Sequence, residues 1–268
     1  MIWGKQSLIQ YIIARLPHWF FETSAVIIIV ALLISLWWIT LGAKRFSAAM
    51  GRENKLIKLQ EDVVKLKSQN LEYVGIYSQV TIAIINSQSF LESFHDLRML
   101  SDPHELRQRS ANLIQRIIES LASDIKSMPG DKHRCGVWIQ DGDEELLLVF
   151  GSTGFAESYI GFRRLKLNWS VAGKSFRKST TVNIDDVIKN DDWEKNINSA
   201  SKYTSLICIP LGFWGILTID GHNPMNESTV NIGSLYASLL VGALAEFDKA
   251  SALIYEENYS AEASSSVE

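Results

Sequence analysis

Apolar residues fall into four successive patterns along the chain. The first is an unbroken run, residues 23–43, reading TSAVIIIVALLISLWWITLGA with no ionisable side chain. At ~1.5 Å of rise per residue such a helix spans ~30 Å, the hydrocarbon thickness of a bilayer. Trp19, Phe20 and Phe21 mark one end and Trp37 and Trp38 lie towards the other, as aromatic residues do at membrane interfaces. The run predicts a transmembrane helix; it is too long and starts too far from Met1 for a cleaved signal peptide. Upstream, Leu8, Ile9, Ile12, Ile13 and Leu16 recur at helical spacing opposite Lys5, Gln6, Gln10 and Arg15. Residues 1–22 therefore read as an interfacial amphipathic segment stopped at Pro17.

From Leu56 the spacing changes to alternating steps of three and four: Leu56, Leu59, Val63, Leu66, Asn70, Tyr73, Tyr77, Val80, Ile84, Ser87, Leu91 and Phe94. A heptad seam of this length predicts a coiled-coil stalk over residues 44–100. Asn70 falls at an a position, where a buried amide favours a parallel, in-register dimer. The competing reading is an amphipathic helix packed on its own domain. It gains weight after Ser87, where the seam is poorer, so the cleanest coil is expected between Leu56 and Ile84.

A break at Ser101-Asp102-Pro103 carries a capping residue and a proline suited to the first helical position. The helix that follows places Leu106, Leu113, Ile114, Ile117, Ile118, Leu121 and Ile125 on one face and closes at Met128-Pro129-Gly130. Beyond it the period shortens to that of strands. Residues 135–140 and 145–150 flank Asp141-Gly142-Asp143, a hairpin signal. Residues 165–167 and 180–184 are shorter strand candidates around a helical stretch, 170–178. Residues 205–211 and 214–220 form the clearest hairpin, turning at Gly212-Phe213. A long helix follows, 227–255, capped by Asn226 or Ser228, and residues 256–268 read as a disordered acidic tail.

Order and spacing from residue 101 to 255 resemble a GAF domain. The stretch WSVAGKSFRKSTTVNIDD is similar to the family's helix with an internal glycine, here Gly173, followed by a strand and an acidic pair, here Asp185-Asp186. SLICIPLGFWGILTID is similar to its signature hairpin, with Pro210-Leu211, Gly215-Ile216-Leu217 and the closing Asp220. The resemblance implies an α+β fold: a GAF-like antiparallel sheet flanked by helices, with a small-molecule pocket on the second face under a roof of loops and short helices. It implies roof candidates for ligand binding at Trp169, Ser170, Asp185, Trp193, Tyr203 and Thr204, aromatic faces to hold a ring and polar groups to orient it. For each of them, plugging the core or solvating a loop is the plainer alternative.

Net charge is −4 and 47% of residues are apolar, so nothing global points to nucleic acid, which needs a basic face. Lys44, Arg45, Arg52, Lys55 and Lys58 follow the apolar run while Lys5 and Arg15 precede it. The positive-inside bias places the C-terminal body in the cytoplasm of a single-pass protein of the inner or plasma membrane. Cys135 and Cys208 sit in strand-like runs, as buried apolar residues do. The acids Asp185, Asp186, Asp191, Asp192 and Glu194 lack the spacing of a calcium loop. Arg163-Arg164 with Lys166 can meet a phosphate or simply solvate a strand. No nucleophile–base pair or ligand set stands out, so neither catalysis nor a metal site is expected, and the sequence names no cofactor. The expectation is a membrane-anchored, homodimeric signalling protein binding an unidentified small molecule; the alternative is a ligand-free dimerisation scaffold.

Overall fold

The computed structural model describes residues 15–126, 130–190 and 202–265. Trp193 and its acidic neighbours Asp191, Asp192 and Glu194, and most of the predicted interfacial segment, lie outside the described residues. The chain divides into two compact units, Met1–Gln69 and Asn70–Glu268.

Helix α1, His18–Arg98, carries the apolar run and the heptad stripe. Along residues 23–43 the large apolar side chains are exposed, with Ile27 and Trp38 at 67%. Water cannot solvate such a surface cheaply, since each buried aliphatic side chain is worth roughly 1.5–3 kcal/mol. Among the described residues two helices are long and apolar enough to cross a membrane, α1 and the C-terminal helix α4, Glu227–Ser265. The second buries Ile232, Tyr236, Leu240, Ala243 and Leu244 inside the domain, which is the pattern of a core helix.

Helix α2, Pro103–Asp124, starts where the sequence places it. Asp102 caps it by accepting the His104 amide at 3.0 Å, with Pro103 in the first turn. Its predicted apolar face is buried throughout. Glu105 does not reach back to the cap but pairs with Arg109 one turn on, at 2.5 Å. Helix α4 is capped by Asn226, whose side chain accepts the Thr229 amide at 3.0 Å. It runs to Ser265 instead of ending near Tyr255, into the segment read as a disordered tail. Residues 256–263, EENYSAEA, supply good helix formers and no proline or glycine to stop the helix.

Six strands follow α2: β1 His133–Asp141, β2 Glu145–Gly151, β3 Arg164–Lys166, β4 Val182–Ile184, β5 Ser205–Pro210 and β6 Gly215–Gly221. They form one antiparallel sheet in the order β3-β2-β1-β6-β5-β4. Both predicted hairpins are present. The β5–β6 turn needs glycine twice: Gly212 has φ 64°, and a side chain on Gly215 would sit 1.9 Å from the Trp138 carbonyl oxygen.

Strand alternation splits the side chains between two cores. Cys135, Val137, Ile207, Ile209, Leu217 and Ile219 face α2 and α4. Trp138, Leu206, Cys208 and Ile216 face the opposite side, together with Leu146, Leu148 and the short helix α3, Val171–Lys178. The end of α1 joins the first core: Ala83, Phe90 and Leu97 are buried there, and Phe90 meets Tyr236 edge-on at 6.0 Å. Ser87 and Phe94, the last seam positions but one apart, thus turn towards the domain. Leu56, Leu59, Val63, Leu66, Tyr73, Tyr77, Val80, Ile84 and Leu91 stay exposed.

Candidate functional site

On the second face, β1 and β6 place Arg134 directly opposite Asp220. Both lie in alternate register to the core-facing Cys135 and Ile219, so they share the face of Trp138 and Ile216. Arg134 Nε is 2.5 Å from Asp220 Oδ2, and the two side chains are only 11% and 12% exposed. The Arg134 guanidinium lies between two rings, 4.4 Å from the centroid of Phe155 and 4.5 Å from that of Tyr203. Stacking of this kind suits a planar, weakly hydrated cation. Gly154 makes room for it: a Cβ there would fall 2.6 Å from Arg134 Cβ and 3.2 Å from the Tyr203 hydroxyl.

A second arginine turns towards this pair. Arg163 lies over the Tyr159 ring at 5.0 Å, and its Nη1 is buried with no hydrogen-bond partner among the described residues. Burial pushes the Arg163 guanidinium below its usual value, and the charge of Arg134 pushes it further. Burial raises the Asp220 carboxyl above the usual carboxylate value, while the charge and hydrogen bond of Arg134 and the charge of Arg163 pull the other way. Burial likewise raises the Tyr203 phenol. Among the described residues the cluster therefore has two cations against one carboxylate, walled by Phe155, Tyr159 and Tyr203.

Of the residues the sequence put forward, Tyr203 joins this cluster. Thr204 lies next to it but is occupied: its hydroxyl donates to the His222 carbonyl at 2.8 Å and its amide to Gly221 at 2.9 Å. Ser170 is the cap of α3, accepting the Gly173 amide at 3.0 Å while its hydroxyl donates to the Lys166 carbonyl at 2.7 Å. Gly173 is required there, since a Cβ would lie 2.2 Å from the Leu167 carbonyl oxygen. Trp169 is 68% exposed and plugs no core, and Asp185 is exposed. Asp186 caps the turn after β4 through the Ile188 amide and pairs with Lys189 at 3.0 Å. The basic trio divides: Arg164 pairs on the surface with Asp141 at 2.9 Å and Glu145 at 3.2 Å, Lys166 is exposed, and Arg163 turns inward.

Arg134, at the centre of this cluster, is a candidate the sequence reading missed. The signal was its place as a lone cation in an apolar strand, on the same parity as Trp138. Cys135 and Cys208 are free and buried, and burial pushes both thiols well up, with the nearby Asp220 charge adding to it. Neither is a poised nucleophile. Among the described residues there is no cluster of three or more histidine, cysteine or acidic side chains able to hold a metal.

Below the roof, the apolar cluster of Trp138, Leu146, Leu148, Val171, Val187 and Cys208 fills much of the face. A separate concavity of 250 Å³ opens at the far end of α2, lined by Ile125, Asp131, His133, Asn223, Met225 and Thr229 among others.

An antiparallel sheet with long helices on one face and the short helix α3 on the other defines an α+β domain. The domain is GAF-like in fold. No protein-family model matches the chain, and comparison with curated proteins finds no relative. Similar solved structures include the GAF domain of a phosphoenolpyruvate-protein phosphotransferase from Coxiella burnetii, at 15% identity over 66% of this chain and 98% of that one, TM-score 0.49. The corresponding Acinetobacter GAF domain is 15% identical over 60% and 93%, TM-score 0.43. A free methionine-R-sulfoxide reductase from Neisseria meningitidis is 21% identical over 56% and 95%, TM-score 0.40.

Proposed function

We propose that this chain is a membrane-anchored, ligand-responsive signalling protein. A small molecule binds the roof-side face of the GAF-like domain, and the parallel dimer of α1 helices carries the response to the membrane segment or to a partner. The observation that carries this reading is the Arg134–Asp220 pair, held between two aromatic rings beside a second inward-facing arginine. A buried, charge-bearing cluster on an otherwise apolar face is costly as mere structure and is typical of a site. The domain also grips α1 through buried polar bonds: Gln79 donates to the Ile125 carbonyl at 2.8 Å and Asn86 to Asp124 at 2.6 Å. A shift of α2 is thereby felt by α1.

The body is cytoplasmic in this reading, from the basic residues that follow the apolar run. Full-length protein purified in detergent and sprayed under native conditions should carry a copurified small molecule, two chains per particle. A reporter fused after Glu268 should be active inside the cell. Bare protein together with an externally active reporter would overturn both the sensor and its orientation.

The dimerisation scaffold is the second reading, favoured by the apolar cluster beneath the roof. It predicts that Arg163 can be replaced without loss of signalling.

A further inference from the structure

We propose that the ligand of this domain carries an oxyanion, a phosphate ester or a carboxylate, and that Arg163 is the residue that binds it. The proposal rests on the ligand-sensor reading and names the chemistry it requires. Its basis is the different state of the two arginines. Arg134 is satisfied: Asp220 takes its Nε at 2.5 Å and two rings cover its faces. Arg163 lies over the Tyr159 ring, 5.0 Å away, feels the charge of Asp220 without a hydrogen bond to it, and has a buried Nη1 with no hydrogen-bond partner among the described residues.

An arginine stays protonated in proteins and presents donors in a fixed fork. Leaving one of those donors buried and unused costs stability unless another acceptor arrives. Among the described residues of the cluster, Asp220 is the one carboxylate and is already engaged. Among the described residues the remaining charge is positive, on a partly buried face, so an anion is favoured over a neutral or cationic guest. Arg164, its sequence neighbour, has two surface acids of its own.

Arg134 has a different task in this arrangement. It holds Asp220 and the ring of Tyr203 in place, and is a positioning residue for the wall of the site. Arg163 is the direct contact. That division makes the two residues separable by experiment.

The test uses the full chain in detergent, with inorganic phosphate, succinate, adenosine and choline as probes, read by thermal shift and calorimetry. Phosphate or succinate should raise the melting temperature of the wild type, while adenosine and choline do not. Which of the two anions binds better distinguishes the phosphate from the carboxylate source. Arg163→Gln should weaken anion binding by at least about tenfold, the loss of one charge-assisted hydrogen bond. Arg163→Lys should recover part of it. The unliganded Arg163→Gln protein should melt at or above the wild-type temperature, because an unpaired buried donor has been removed. Three results overturn the proposal: neither anion binds at millimolar concentration, Arg163→Gln binds as wild type, or Arg163→Gln unfolds the apo domain. Binding of adenosine or choline alone overturns the anion class and leaves the sensor reading standing.

Discussion

Asn86 of α1 and Asp124 of α2 meet side chain to side chain, the amide donating to the carboxylate at 2.6 Å, and the Tyr236 hydroxyl of α4 donates to the same oxygen. Three helices thus converge on one acceptor that is only 8% exposed. Burial and the Asp124 carboxylate together push the Tyr236 phenol far above its usual value, so it remains a donor at any physiological pH. Tyr236→Phe should cost about 1–2 kcal/mol, the loss of one buried bond to a charged group. Asp124→Leu should cost more, because it strips the acceptor from two buried donors at once. Urea unfolding midpoints separate the two, and equal losses would show that Asp124 is not the shared acceptor.

Arg134 and Asp220 behave as a unit. Asp220→Ala leaves a guanidinium buried without its partner and should destabilise the domain by about 3–5 kcal/mol. The double variant Arg134→Met/Asp220→Leu should recover most of that, since apolar groups of similar size replace both charges. A double variant as unstable as the single one would mean the rings, not the charge pair, hold this corner of the sheet.

His133 gives the domain an acid-sensitive stability. Burial lowers its pKa from 6.5, with Lys126 and His222 adding to the fall and Asp131 opposing it. The unfolded chain therefore takes up the proton first as pH falls. The stability this neutral imidazole contributes is complete above pH 6.5 and is lost as pH falls through the lower folded value. His133→Gln should flatten the melting temperature against pH across that window. An unchanged slope would assign the acid sensitivity to another group.

The stalk prediction rests on exposed seam residues such as Leu56 at 66%, Val63 at 60% and Leu66 at 64%. A peptide of residues 56–84 should associate as a parallel dimer, and Asn70→Leu should raise its melting temperature while admitting higher oligomers. Sedimentation equilibrium reads both. A peptide that stays monomeric at high micromolar concentration removes the coiled coil.

The sequence was informative where side-chain period decides the element. The buried face of α2, both hairpins and the cap at Asp102 follow from local spacing and local hydrogen bonds. The site was harder, because it depends on which parity of each strand faces the roof. Arg134 looks unremarkable until β1 is paired with β6 and Asp220 arrives from 86 residues away. Ser170 illustrates the converse. A serine before a helix satisfies a cap first, and that local use accounts for it. The heptad pattern beyond Ser87 could not announce its own end, since packing on a domain and packing on a second helix ask for the same spacing.

The two cysteines, buried in β1 and β5 with thiols held far from ionisation, have a practical consequence. Thiolate is the species that maleimide and methanethiosulfonate labels attack, so the native protein is close to inert towards them. A single cysteine introduced on the exposed stripe of α1, at Tyr77 for example, would be labelled alone in an otherwise wild-type chain. In the proposed dimer, spin labels at that position would report the helix-to-helix distance, with and without the proposed anion, and neither native cysteine would have to be removed.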